Sequence, residues 1–153
     1  MQSKEIRLEQ VIDLIEEKLA DGKSVRFMPR GISMLPMLRQ GKDSVVLSPL
    51  TGRLKKYDLP LYRRDDGKFI LHRGVKAGDT YTCIGDNQFH FEHGVRHEQM
   101  IAVVTSFIRD GNEISVDAPR YRIYCRVWHW VRPFRHIWSR GKNFLRRIVK
   151  RLR

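Results

Sequence analysis

Long hydrophobic runs are missing from this sequence, and cysteine is scarce. No apolar stretch among the 153 residues approaches the roughly 18 residues that suggest a membrane-spanning helix. The N-terminal stretch MQSKEIRLEQVIDLIEEK is charged throughout, so we expect no secretory signal peptide. The two cysteines, Cys83 and Cys125, show neither CxxC spacing nor a disulfide framework, which indicates a reduced, cytoplasmic chain.

Acidic residues are absent from residue 120 onward. That segment carries 12 Lys or Arg, whereas residues 1–119 hold the other 18 basic residues and all 17 acidic ones. The net charge of +13 therefore belongs almost entirely to the C-terminal tail. We expect three units: an N-terminal amphipathic helix over residues 1–24, a β domain over 25–119, and a basic, aromatic-rich tail over 120–153.

The spacing of apolar residues predicts a mainly β fold with helical ends. An amphipathic helix that ends near residues 21–23 and covers an open sheet face is predicted by Ile6, Val11, Ile12, Ile15 and Leu19. Turn signals then separate short strand candidates, namely SVRFM, DSVVLS, LPLYRR, KFILHRGV, TYTCIG and MIAVVTSFI. A DG turn in IRDGNEISV predicts a hairpin. Together these segments indicate a small, coiled β-sheet domain.

Two segments supply a candidate nucleophile and a candidate base. RGISMLP places Ser33 in a glycine-led loop, and FILHRGV places His72 in a strand-like run. A loop serine taken alone is usually structural, because a catalytic serine needs a base within hydrogen-bond reach and donors for the developing oxyanion. The question is whether His72 serves Ser33.

The order of GISMLPML, FILHRGV and CIGDNQ resembles the signal peptidase family of serine proteases, over about residues 25–108. The resemblance implies a small coiled β-sheet of that type and cleavage of a leader or other peptide. Since His72 precedes Arg73 where Ser–Lys members have a lysine, the chain is similar to the Ser–His branch of the endoplasmic-reticulum and archaeal type. Lys68 and Lys76 would lie about 13 Å from His72 along an extended strand, too far to replace it.

The resemblance also implies a role for each residue of the motif. Ser33 would attack the scissile carbonyl, and His72 would accept its proton and return it to the leaving amine. Gly31 has no side chain to donate, so the oxyanion would rest on backbone N–H groups, including that of Ser33. Met34 and Pro36 would shape the loop and the substrate groove.

An acid should orient the imidazole of His72. The resemblance offers Asp86 in the GDN segment as the first choice and Glu92, six residues further on, as the second. Arg73 is expected to anchor its strand through a carboxylate such as Asp86.

The histidines allow a competing interpretation as a metal site. His90, His93 and His97, with Glu92 among them, could ligate zinc if they shared a helix. Their segment, QFHFEHGVRHEQ, instead indicates a turn-rich connection without cysteine. We therefore expect no metal and no cofactor.

The tail predicts contact with an anionic membrane surface. Large apolar residues alternate with basic ones there, as in basic amphipathic helices that lie in membrane interfaces, and Pro133 should break the helix. The expected contact residues are Trp128, Trp130, Trp138, Arg146, Arg147 and Lys150. Packing of the tryptophans on the domain, binding to a partner protein, or binding to nucleic acid are the alternatives, and nucleic acid is not favoured because residues 1–119 are nearly neutral.

The expected function is a cytoplasmic serine endopeptidase, peripheral on the inner face of a membrane, that acts on a peptide or leader peptide. A non-catalytic, peptide- or partner-binding protein of the same fold is one alternative. A nucleic-acid-associated regulator is the other, although 24 residues before the β domain are too few for a helix-turn-helix module.

Overall fold

Antiparallel strands make up most of the regular structure between residues 11 and 139, the part of the chain that the computed structural model describes. Within that part the helices are α1 (Ile12–Ala20), α2 (Pro119–Trp130) and α3 (residues 132–139), and a 3-10 turn covers His97–Gln99. The strands are β1 (Val25–Phe27), β2 (Ser44–Ser48), β3 (Pro60–Arg63), β4 (Phe69–Leu71), β5 (Arg73–Ala77), β6 (Tyr81–Ile84), β7 (Glu92–Val95), β8 (Met100–Arg109) and β9 (Asn112–Ser115). The mainly β fold class is confirmed.

The strands form two separate sheets. The larger sheet has the order β1-β2-β8-β3-β4, with β9 paired to β8, and the smaller sheet has the order β5-β6-β7. The predicted hairpin is confirmed as the β8–β9 pair, in which Arg109 lies opposite Asn112. Asp110 and Gly111 form its turn with φ angles of 50° and 81°, the left-handed conformations that a tight hairpin turn requires.

The strand predicted over KFILHRGV is two strands that belong to different sheets. Leu71, at the end of β4, pairs with Leu61 in the larger sheet, whereas Arg73, at the start of β5, pairs with Ile84 in the smaller one. His72 lies between them, at the point where the chain crosses from one sheet to the other. Because β4 and β5 are held in different sheets, the backbone on either side of His72 is fixed.

The main hydrophobic core lies against the larger sheet and receives α1. Ile12, Ile15 and Leu19 are buried on one face of α1, which confirms the described part of the predicted amphipathic helix. Burying a side chain of this size contributes about 1.5 to 3 kcal/mol to the free energy of unfolding. Met34, Met37 and Leu38, from the loop that carries Ser33, enter the same core.

The first helix of the predicted tail belongs to the β domain. Tyr121 and Cys125 of α2 are buried in the main core, so the chain does not leave the domain at residue 120. As predicted, the helix is interrupted just before Pro133: α2 ends at Trp130 and α3 starts at residue 132. Arg146, Arg147 and Lys150 lie outside the described residues.

The segment predicted as a turn-rich connection contains strand β7. It pairs with β6, with Val95 opposite Tyr81 and Glu92 opposite Cys83. Glu92 therefore has a fixed position on a sheet. Over residues 11–139, none of the helices combines the length and the apolar character that crossing a membrane requires.

Candidate active site

The loop that carries Ser33 is held by the GDN segment. Backbone and side-chain N–H groups of Asn87 donate to the carbonyl oxygens of Ser33 and Ile32, at 2.8 and 3.1 Å. A Cβ atom on Gly85 would lie 2.6 Å from the Ser33 carbonyl oxygen, so only glycine allows this close approach. Gly31, with φ of 95°, supplies the left-handed turn that leads into Ser33.

Ser33 and His72 line one cleft, together with Gly31 and Met34. The cleft has a volume of about 110 Å³. Within residues 11–139, no hydrogen bond joins Ser33 Oγ to the imidazole of His72, so the nucleophile–base contact is not formed in this structure. Such hydrogen bonds are often long until substrate binds.

Met34 and Pro36 lie in different surroundings. Met34 is 4% exposed; it lines the cleft and also packs in the main core. Pro36 is exposed, and its carbonyl oxygen accepts a hydrogen bond from Arg109 Nη1 at 3.0 Å. Met34 thus shapes the cleft, whereas Pro36 fixes the far side of the loop.

Glu92 is the acid that lies next to His72. One of its carboxylate oxygens is 3.5 Å from His72 Nδ1, and it also accepts a hydrogen bond from the Tyr62 hydroxyl. Arg64 forms an ion pair with the other oxygen. Tyr62 Oη is itself 3.5 Å from His72 Nδ1. The four side chains form one network, in which Tyr62 and Arg64 fix Glu92 beside the imidazole.

Burial sets the protonation of His72. The side chain is 4% exposed, and this burial lowers its pKa below the ordinary value of 6.5, while Glu92 opposes the shift. The imidazole is therefore neutral near pH 7, the form that can accept a proton.

Asp86 pairs with Arg73 and not with His72. Its two carboxylate oxygens accept hydrogen bonds from Nε and Nη2 of Arg73, both at 2.8 Å, and both side chains are almost fully buried. The preference for Asp86 over Glu92 as the partner of His72 was wrong, because Asp86 forms a paired contact with Arg73 whereas Glu92 lies 3.5 Å from His72 Nδ1. The expected anchoring of Arg73 through Asp86 is confirmed.

Helix α2 completes the surroundings of the Arg73–Asp86 pair. Arg73 Nη1 donates to the Tyr121 hydroxyl at 2.9 Å, and the Tyr124 hydroxyl donates to Asp86 at 3.0 Å. Trp128 Nε1 donates to the Asp86 carbonyl oxygen at 2.8 Å, and the Trp128 ring stacks on Tyr124. Trp128 therefore packs on the domain and was wrongly assigned to the membrane surface.

A second cavity opens on the Glu92 side of His72. Its volume is about 490 Å³, and it is lined by Arg64, His72, Asn87, Gln88, Phe89, His90, Phe91 and Glu92. His72 thus borders both this cavity and the cleft that holds Ser33. The two phenyl rings give the second cavity an apolar wall.

The alternative bases and the histidine cluster lie in other environments. Lys68 forms an ion pair with Asp66 at 3.2 Å on the surface. Nδ1 of His93 is 3.3 Å from the Thr82 hydroxyl, and Nδ1 of His97 is 3.0 Å from the Tyr81 hydroxyl. Between residues 11 and 139, no three His, Cys, Asp or Glu side chains form a group that could hold a metal ion.

Sequence reasoning missed four residues that support the site. Tyr62 and Arg64 share one face of the LPLYRR segment at a spacing of two, and this spacing could have pointed to a joint role. Gly85 and Asn87 flank Asp86 in the GDN segment, but only the carboxylate of Asp86 indicated a role in the site. Their contacts join segments far apart in the chain, so local spacing alone could not assign them.

No family model matches this chain, and the searches of curated proteins and of solved structures found no significant match. The geometry of the site alone bears on its chemistry. That geometry consists of a serine and a neutral histidine on one cleft, with a glutamate behind the histidine.

Proposed function

We propose that this protein is a serine endopeptidase of the signal peptidase type, in which Ser33 is the nucleophile, His72 the base and Glu92 the residue that positions His72. The observation that carries the proposal is the position of His72 between Ser33 and Glu92, at the crossing of the two sheets. The substrate would be a leader or other peptide that enters the cleft in an extended conformation.

The proposed steps follow from which imidazole nitrogen faces the acid. Because Nδ1 faces Glu92 and Tyr62, Nε2 is the nitrogen left to accept the proton of Ser33 Oγ. Oγ attacks the peptide carbonyl carbon, and the collapse of the tetrahedral intermediate breaks the C–N bond as the imidazolium protonates the leaving amine. Water, deprotonated by His72, then hydrolyses the acyl ester and regenerates Ser33.

The proposal includes action at a membrane surface. Six large apolar side chains with exposed fractions above 50% follow one helical stripe along α2 and α3: Ile123, Val127, Trp130, Phe134, Ile137 and Trp138. The same helices carry many arginines and lack acidic residues. An apolar stripe flanked by cations is the pattern of an interfacial helix on anionic lipid.

The test of the nucleophile is cleavage of a defined mixture of synthetic peptides, with products identified by mass spectrometry. Ser33→Ala should abolish cleavage and leave the thermal unfolding midpoint unchanged, because one half-buried hydroxyl contributes little to stability. Ser24→Ala, at an exposed serine outside the site, is the matched control and should cleave normally.

The base is tested with three alanine variants. His72→Ala should be inactive, whereas Lys68→Ala and Lys76→Ala should keep the wild-type rate. Full activity of Ser33→Ala or His72→Ala would overturn the proposal. Peptide capture without any cleavage by the wild-type protein would favour the non-catalytic binding function instead.

The membrane component is tested by co-sedimentation with anionic and with neutral vesicles. Trp130→Gln combined with Phe134→Gln should reduce binding to anionic vesicles at least about tenfold, because the insertion of the stripe is lost. Leu14→Gln, at an exposed leucine of α1, is the control and should bind like the wild type. Equal binding by the double variant would contradict the membrane role of the stripe, and salt-sensitive binding to duplex DNA alone would favour nucleic acid.

A further inference from the structure

Five buried side-chain nitrogens at the junction of α2 and α3 have no hydrogen-bond partner within the described part of the chain. They are His129 Nδ1, all three guanidinium nitrogens of Arg132, and Arg135 Nη1. Buried polar groups in folded proteins are almost always hydrogen-bonded, and a buried charge without a counter-ion is costly. The four orphaned guanidinium nitrogens of Arg132 and Arg135 are donors on positively charged groups, so they indicate an anionic group that binds there.

Arg132 is the centre of this cluster. It is 5% exposed, and its guanidinium lies 5.7 Å from the centre of the Phe91 ring. Burial lowers the pKa of Arg132, and Asp86 is the acid that opposes this shift. Both oxygens of Asp86 are engaged by Arg73, so the charge of Arg132 lacks a bonded carboxylate among residues 11–139.

Arg135 is held in place beside it. Its Nη2 donates to the Asp86 carbonyl oxygen at 3.1 Å, and its guanidinium lies 3.7 Å from the centre of the Trp128 ring and 5.8 Å from that of Phe89. These contacts leave Nη1 as a positioned donor. A guanidinium fixed in this way loses little conformational entropy when it binds an anion.

The cluster lies behind the wall of the cavity beside His72. Phe89 and Phe91, whose ring centres lie 5.8 and 5.7 Å from the guanidinium groups of Arg135 and Arg132, line that cavity together with His72 and Glu92. Phe91 is 42% exposed, and the proposal below includes a movement of its ring that opens Arg132 to the cavity. The orphaned donors thus lie behind one aromatic ring of the second cavity, which shares His72 with the cleft that holds Ser33.

The side of the helices on which Arg132 and Arg135 lie favours a peptide ligand over a lipid. Trp130, Phe134 and Ile137 occupy the exposed face of the two helices, whereas Arg132 and Arg135 lie on the side that packs against the loop at residues 87–91. A lipid phosphate that approaches the exposed face would not reach them. A group carried by a molecule in the cavity would reach Arg132 and Arg135 after the Phe91 ring moves aside.

We propose that Arg132 and Arg135 bind a carboxylate of the peptide that occupies the cleft, an Asp or Glu side chain or a C-terminal carboxylate, and thereby select acidic substrates. The planar guanidinium of Arg132 offers the paired donors that a carboxylate accepts. This inference rests on the proposed function for the identity of its ligand, but its test needs no catalysis.

The test is peptide capture by the Ser33→Ala protein. The probe is a set of synthetic peptides that differ only by Glu or Gln at one position, and bound peptides are quantified by mass spectrometry. We expect about tenfold enrichment of Glu over Gln at one position of the peptide. Adding Arg132→Met should abolish it, whereas Arg126→Met, which removes an exposed arginine of α2, should leave it unchanged.

Three outcomes would overturn the proposal: enrichment of Glu at every position alike, which is general attraction to a basic protein; enrichment that survives Arg132→Met; or no enrichment. Arg132→Lys keeps the charge without the planar donor pair and should give an intermediate enrichment, which preserves the test if Arg132→Met does not fold. Absence of cleavage by the wild-type protein would overturn the peptidase proposal alone, because capture is measured on the inactive variant.

Inorganic phosphate separates a free anion from a peptide carboxylate. In thermal unfolding at constant ionic strength, phosphate should raise the midpoint of the wild type only weakly, and it should compete poorly with the captured Glu peptide. A large stabilisation by phosphate that Arg132→Met removes, without any Glu enrichment, would identify the occupant as a free anion and overturn the peptide proposal.

Discussion

Asp86 and Glu92 lie six residues apart, and their environments differ completely. Asp86 is fully buried, and its carboxylate is enclosed by Arg73 and Tyr124. Glu92 is partly exposed on β7, and its carboxylate contacts a histidine that borders two cavities. The comparison shows that full burial and a paired arginine give Asp86 a structural role, whereas Glu92 is partly exposed and lies 3.5 Å from His72 Nδ1, where it can serve chemistry.

The largest expected effect concerns the buried acid. Asp86→Asn leaves the buried guanidinium of Arg73 without a counter-charge, which should lower the free energy of unfolding by about 3 to 5 kcal/mol. Urea denaturation measures this loss. Asp65→Asn, which breaks an exposed pair with Arg96, is the control and should leave the midpoint unchanged. An Asp86→Asn protein as stable as the wild type would contradict the structural role of Asp86.

Glu92→Gln should change the free energy of unfolding only slightly but cause a large loss of activity. Removing the charge beside the imidazole should lower kcat on the order of 100-fold, because the positive imidazolium that forms in the reaction loses its partner. Steady-state kinetics on the best peptide of the mixture measures the loss. Wild-type activity in Glu92→Gln would remove the acid from the mechanism.

The pH dependence of activity tests the contact between Glu92 and His72, which Asp86 does not make. In the proposed mechanism the neutral imidazole is the active form, so wild-type activity should rise with pH through the pKa of His72, which burial places below 6.5, and level off by neutral pH. Since Glu92 raises that pKa, Glu92→Gln should move the rise to lower pH. A shift to higher pH, or no shift, would contradict the contact between the two residues.

Tyr62→Phe is the smallest of these effects. It removes one hydrogen bond to Glu92 and keeps the buried ring, while Arg64 still holds the carboxylate. A hydrogen bond of about 1 kcal/mol corresponds to a fall in kcat of roughly fivefold. KM should stay constant. A loss as large as that of Glu92→Gln would assign Tyr62 a direct role at His72.

The sequence predicted the strands well because alternation and turn residues are local signals. It missed β7, since Glu92, His93 and Gly94 offer neither β-branched side chains nor alternation. It preferred Asp86 to Glu92 wrongly, because the partner of each depends on where α2 and β7 pack. It assigned Trp128 to the surface because Trp128 and Trp130 are indistinguishable in composition, and only the docking of α2 separates them.

For anyone who wishes to shorten this protein, the contacts of α2 set the limit. The change of charge at residue 120 suggests a cut there, but such a cut would strip Tyr121 and Cys125 from Arg73 and remove the donor that Trp128 gives to the GDN segment. That segment in turn holds the Ser33 loop through Asn87. The smallest autonomous unit therefore extends at least through Trp130, and a shorter fragment would lose the fixed position of the Ser33 loop along with its stability.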